Sequence, residues 1–304
     1  MKKGKSERVL IVVVLALLGF AGCRGRADVS QRPSVVPMRV VTDDLGRRVT
    51  IPVRVERVVS TAPSVTENIF AVGAGDRLVG VTTFCNYPEQ AKTIAKIGDT
   101  MNPNMESIVA LKPDIVFVST ASQIETFTKT LEQNGIAVYV SNPATLTEVL
   151  SGLESLSDVF GTQEKVGKLL PDLKRRVNVV SLKVQDDKKP VVFVQISREP
   201  LFTIGADSFL THLIFKAGGD SVTAGVPTAF PKINPEAAMA YSPEVIILSD
   251  SDDNKEPNEV FKNSPAVKNG RVYRINADLI SRPGPRLVDA LEQIARDLHP
   301  EKFK

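Results

Sequence analysis

Apolar residues along this chain fall in short runs separated by longer amphipathic stretches, the pattern of alternating strands and helices. The runs at 58–61, 78–81, 115–119 and 138–140 are short and continuous, and they read as buried strands of a parallel sheet. Between them, 65–72, 105–111 and 124–133 carry apolar residues at helical spacing, with Gly73, Gly75 and the Asn134-Gly135 pair as stops and turns. Ahead of this set, 38–42 and 47–51 flank Asp43-Asp44-Leu45-Gly46 and predict a small hairpin. A second set begins after Pro190, with strands at 191–195, 245–249 and 272–275 and a helix at 208–217 closed by Gly218-Gly219. A final amphipathic helix, 286–298, has Leu287, Leu291, Ile294 and Leu298 on one side. The stretches 145–160 and 163–184, apolar inside and charged outside, predict two linking helices, with Pro171 starting or kinking a turn.

The two sets echo one another. ESIVALKPDIV from Glu106 matches EAAMAYSPEVI from Glu236, and Pro113 matches Pro243 at the same offset of 130 residues. Each copy reads as a glutamate opening a short helix, then a Pro-acid turn into a buried strand. The expected fold is therefore α/β: two similar Rossmann-like lobes joined by a single long backbone helix, with the ligand cleft between the lobes. The expected boundaries are a signal at 1–22, a tether at 23–37, an N-terminal lobe at 38–144, linking helices at 145–189 and a C-terminal lobe at 190–304. A rod between lobes makes a stiff hinge, because it cannot absorb large backbone rotations as crossing loops can.

The N-terminal segment changes what the charge means. Lys2, Lys3, Lys5 and Arg8 precede an apolar run at 9–20, shorter than the about 20 residues that span a bilayer, as in a secretory signal. The run closes on Phe20-Ala21-Gly22-Cys23, which resembles a bacterial lipobox and implies cleavage before Cys23 and lipidation of its thiol. The whole chain has 38 Lys+Arg against 35 Asp+Glu; four of the bases and one acid lie before Cys23, which leaves 34 of each. The mature protein is neutral, so the basic precursor gives no reason to expect nucleic acid. Lipidation of Cys23 leaves Cys85 with no partner for a disulfide, and a small buried thiol is expected there.

Catalysis and metal binding find little support. Only His212 and His299 occur, neither with a ligand-type residue at helical or strand spacing, so no metal and no cofactor are expected. Ser64 has no Gly-x-Ser-x-Gly elbow and reads as a helix N-cap. The glycines at 73, 75, 218 and 219 follow helices and therefore read as C-terminal turns, not phosphate cradles. What remains is a set of loops at strand ends, where ligands sit in α/β sheets: 84–88, 100–104, 228–231 and 278–284. Their aromatics and amides, with the Asp278/Arg282 pair, suit a large, partly apolar ligand with polar edges.

Five segments resemble the helical-backbone substrate-binding proteins of ABC importers, and within them the cobalamin-binding branch. They are RVVSTAPSVTE at 57–67, GAGDRLVGVT at 73–82, NYP at 86–88, PNMESIVALKPD at 103–114 and RPGPR at 282–286. The resemblance implies no enzyme activity, two α/β lobes with little closure, and a monomer facing the periplasm or cell exterior. It implies that Glu106 and Glu236 pair with arginines on the two subunits of a permease dimer. It further implies ligand contacts from Phe84, Phe230, Asp278 and Arg282, and from Thr100, Ser119 and Ile196, which replace aromatic residues of the branch; Tyr87, in the 84–88 loop, is a further expected ligand contact. The chain has no Trp, so much stacking surface is missing and haem or a ferric siderophore competes with cobalamin as cargo. A surface hydrolase and a structural adhesin are remote alternatives.

Overall fold

The structure is a computed structural model and describes residues 36–119 and 124–304; Cys23, the expected signal and nearly all of the expected tether lie outside the described residues. Strands β1 (Met38–Thr42) and β2 (Arg48–Pro52) form the antiparallel hairpin. A parallel sheet follows, built from β3 (Val58–Ser60), β4 (Leu78–Val81), β5 (Ile115–Ser119) and β6 (Ala137–Ser141) in the order β4-β3-β5-β6. Its connections carry α1 (Pro63–Ala71), α2 (Met105–Ala110) and α3 (Ile124–Gln133). After α4 (Leu146–Phe160) and α5 (Gln163–Val184), a second parallel sheet uses β7 (Val191–Gln195), β8 (Asp220–Ser221), β9 (Val245–Asp250) and β10 (Val272–Asn276). Its helices are α6 (Phe209–Lys216), α7 (Pro235–Met239), α8 (Pro265–Lys268), α9 (Ala277–Ser281) and α10 (Leu287–Leu298). The second sheet runs β8-β7-β9-β10, the same order as the first.

The internal repeat is physical as well as sequential. Lys112 and Ser242, 130 residues apart, both adopt positive φ, at 47° and 44°. The acid after each following proline then ties its strand to the neighbouring one. Asp114 accepts from the N–H groups of Glu56 and Arg57 at 2.7 and 2.8 Å, and Glu244 accepts from Val191 N–H at 3.0 Å. The Val191 bond, helped by Lys188, lowers the Glu244 pKa.

Strand alternation divides the core. Val58, Ile115 and Phe117 face inward, as do Val192, Val194, Val245 and Ile247 of the second sheet; all belong to one continuous apolar cluster with Leu153, Leu170 and Leu291 of the helices. The opposite faces supply two separate clusters, one around Val116 and Val118 and one around Phe193 and Ile246. The lobes thus share their inner core with the linking helices. Helix α5 has 22 residues and is about 33 Å long at the standard rise. Arg176 on α5 holds α10 through Glu292 at 2.7 Å and Asp289 at 2.6 Å.

Three local expectations are corrected. Pro171 does not start a helix; α5 runs through it. Pro171 and Gly167 both lie on the exposed side, so water can satisfy the Gly167 carbonyl that loses its helical partner. Ser64 is not an N-cap, because Pro63 takes the first helical position and leaves Ala62 as the cap. The segment 278–284 is not all loop: Asn276 caps α9 by accepting from Asp278 N–H at 2.8 Å.

Candidate functional site

The carboxyl ends of the parallel strands converge on a cavity of about 560 Å³. From the first lobe it is lined by Ala62, Pro63 and Ser64 after β3, Phe84 after β4, Thr100, Ser119 at the end of β5, and Ser141–Ala144 after β6. The second lobe contributes Asp207, Phe209, Ala229, Phe230, Asp278, Ser281, Arg282 and Pro283. Phe84 and Phe230, one from each lobe, remain about half exposed, at 57% and 45%. Apolar rings left in water at a cleft are available to a ligand.

Six of the eight expected ligand residues line this cavity: Phe84, Thr100, Ser119, Phe230, Asp278 and Arg282. Tyr87 and Ile196 do not. Tyr87 lies under the Arg286 guanidinium, 4.0 Å from its ring centre, and Ile196 packs against the inner core. Asp207, Phe209 and residues 141–144 were missed by sequence reading, although 141–144 run on from the last residue of β6 and so follow the strand-end rule.

Arg282 has a role the sequence did not reveal. It is nearly buried, and its Nη1 donates to Glu67 Oε1 at 2.9 Å and to Asn86 Oδ1 at 2.7 Å. Its Nη2 is 2.6 Å from Asp278 Oδ1, and Asn86 Nδ2 donates to Asp278 Oδ2 at 3.0 Å. Glu67, buried on α1, also receives a two-pronged contact from Arg286, at 2.8 Å from Nε and 2.6 Å from Nη2. Burial opposes the charge of Arg286, but the hydrogen bonds and attraction of Glu67 outweigh it and raise the pKa. One carboxylate of the first lobe therefore clamps two arginines of the second directly beneath the cavity. Asn68 adds a weaker tie to the carbonyl of Pro283 at 3.3 Å.

The other chemically suggestive groups lie elsewhere. Cys85 is buried, with Sγ 3.2 Å from the hydroxyls of both Thr66 and Thr82. His212 is exposed. His299 is buried against the Gly218 carbonyl at 3.0 Å, and the fold brings Asp187 and Glu301 close to it, a grouping that sequence spacing hid. Lys302 already neutralises Asp187 at 2.8 Å.

Glu106 and Glu236 occupy equivalent places, each the second residue of its short helix and exposed. Asn104 caps α2 through Ser107 N–H at 2.9 Å, and Asn234 caps α7 through Glu236 N–H at 2.8 Å.

A family model described as periplasmic binding protein matches residues 58–279. The chain belongs to the periplasmic binding protein family. An ABC transporter substrate-binding lipoprotein of Bacillus subtilis, YvrC, is 31% identical over 99% of both chains. The vitamin B12-binding protein of Vibrio parahaemolyticus is 30% identical, over 82% of this chain and 92% of its own. Among solved structures, the periplasmic vitamin B12-binding protein BtuF of Vibrio cholerae superposes with a TM-score of 0.73 at 27% identity, covering 83% of this chain and all of that one. The haem-binding protein RhuT of Roseiflexus has a TM-score of 0.71 at 21% identity, a likeness of fold. This periplasmic binding protein is thus a substrate-binding component of the ABC transporter class, and the family consists of extracytoplasmic solute binders, not enzymes.

Proposed function

We propose that the protein captures cobalamin or a related corrinoid in the interlobe cavity and hands it to an ABC permease. The observation that carries the cargo is the chemistry of the lining. Phe84 and Phe230 offer apolar faces to a macrocycle, while serine and threonine hydroxyls, Asn142 and Asp278 offer partners to its amide fringe. The described lining residues include no His, Cys, Met or Tyr that could ligate haem iron axially. An anionic ferric siderophore calls for free cations, and the single arginine in the lining is engaged by Glu67 and Asp278. Relatives named for vitamin B12 at about 30% identity favour the same reading.

Delivery would use Glu106 and Glu236 as one carboxylate per lobe, each suited to a bidentate arginine of the permease dimer. Lipidation at Cys23, outside the described residues, would hold the domain as a monomer near its permease at high effective concentration. The shared inner core and the Glu67 clamp favour a preformed cleft that closes little.

Alanine at Phe84 or Phe230 tests the cargo assignment. Loss of one ring from a ligand face removes about 1–3 kcal/mol of contact, so cyanocobalamin affinity should fall by about five- to 150-fold in each variant. Calorimetric titration that finds both variants equal to wild type would contradict this use of the cavity.

A further inference from the structure

Asp207 stands apart among the charged groups around the cavity. Among the described residues, three charged side chains line it: Asp207, Asp278 and Arg282. The two carboxylates Glu67 and Asp278 are matched by the two guanidinium groups Arg282 and Arg286, through contacts of 2.6–2.9 Å. That set is electrically closed. Asp207 stands outside it, exposed on the turn before α6, and has no hydrogen bond or ion pair among the described residues. Phe84, Phe209, Phe230 and Pro283 form an apolar part of the same cavity's lining, alongside its hydroxyl groups. Apolar walls focus the field of a single charge into a cleft.

We propose that Asp207 is a specificity determinant that selects corrinoids carrying net positive charge over neutral ones and over anionic tetrapyrroles and chelates. The proposal rests on the corrinoid reading and sharpens it. A cobalt(III) corrinoid with water on its upper face carries one more positive charge than the same molecule with cyanide there, while the rest of the ligand is unchanged. Asp207 adds attraction for the first and little for the second. Haemin, with two carboxylates, is repelled.

The pair aquacobalamin and cyanocobalamin is the probe, titrated into the protein lacking the N-terminal signal, at mildly acidic pH where the cobalt-bound water keeps its protons. Wild type should prefer aquacobalamin by about five- to tenfold, the size of one partly screened charge contact, and the preference should shrink as salt is raised. In Asp207→Asn the ratio of the two affinities should fall to about one. Asp207 is exposed, so the variant keeps its fold, which thermal unfolding checks. Equal affinities in wild type, or a preference that survives in Asp207→Asn, would overturn the proposal while leaving the corrinoid reading intact. Failure of both cobalamins to bind, with haemin binding tightly, would remove the corrinoid reading and this inference together.

Discussion

Alanine at both Glu106 and Glu236 is expected to abolish cellular uptake of the ligand while leaving its affinity for the purified protein unchanged. The two carboxylates sit on short helices of the two lobes, outside the cavity lining. Each is fixed by an asparagine cap and by the positive-φ residue that ends its helix-turn unit, Lys112 or Ser242. The continuous inner core joins the two lobes, so in the proposed docking the pair would act as a two-point gauge for a dimeric partner. A hydrogen bond to a charged group contributes about 1.5–3 kcal/mol, so losing both contacts should weaken docking by at least about a hundredfold. Each single variant should retain partial transport. Uptake assays in cells expressing only the variant would read this, and a normal rate in the double variant would contradict the docking role.

Glu67→Gln is expected to cost about 3–5 kcal/mol of stability, a large part of the about 5–15 kcal/mol that holds a domain together. Glu67 is almost wholly buried, at 2% side-chain exposure, and is the shared acceptor for Arg282 and Arg286 at 9% and 19%. Glutamine keeps the shape but removes the charge, leaving two guanidinium groups poorly compensated at the lobe interface. The loss comes mostly from those stranded cations and not from the absent bond itself. At about 2–4 °C per kcal/mol for a protein near this size, the melting temperature should fall by about 6–20 °C. A shift of only about a degree would mean that the arginines find water or other partners, and that Glu67 does not clamp the lobes.

Much of the architecture was legible because its signals are local. Short valine- and isoleucine-rich runs between turn residues read as strands buried on both faces, and the repeat from Glu106 to Glu236 lies in two sheets that share one strand order. The site was legible only in outline. Phe84, Thr100, Ser119 and Phe230 follow strand ends, so topology alone brings them to the cavity. Arg282 looked like a free ligand contact because its partner, Glu67, lies 215 residues away. A glutamate between Val65 and Ile69 on a buried helix face was the available clue, since a buried carboxylate requires a partner and RPGPR supplies two. Ser64 misled for a local reason: a hydroxyl favours a cap position, but the fixed φ of Pro63 suits the first helical position and puts the helix start two residues earlier. Tyr87 shares its loop with Phe84, yet it sits against Arg286 and outside the cavity lining.

The identity of the cargo is the claim on which the rest depends, and calorimetric titration of the signal-free protein with cyanocobalamin and with haemin tests it most directly. One-to-one binding of cyanocobalamin, with haemin weak or silent, is the predicted result. Tight one-to-one binding of haemin without cyanocobalamin would contradict the account.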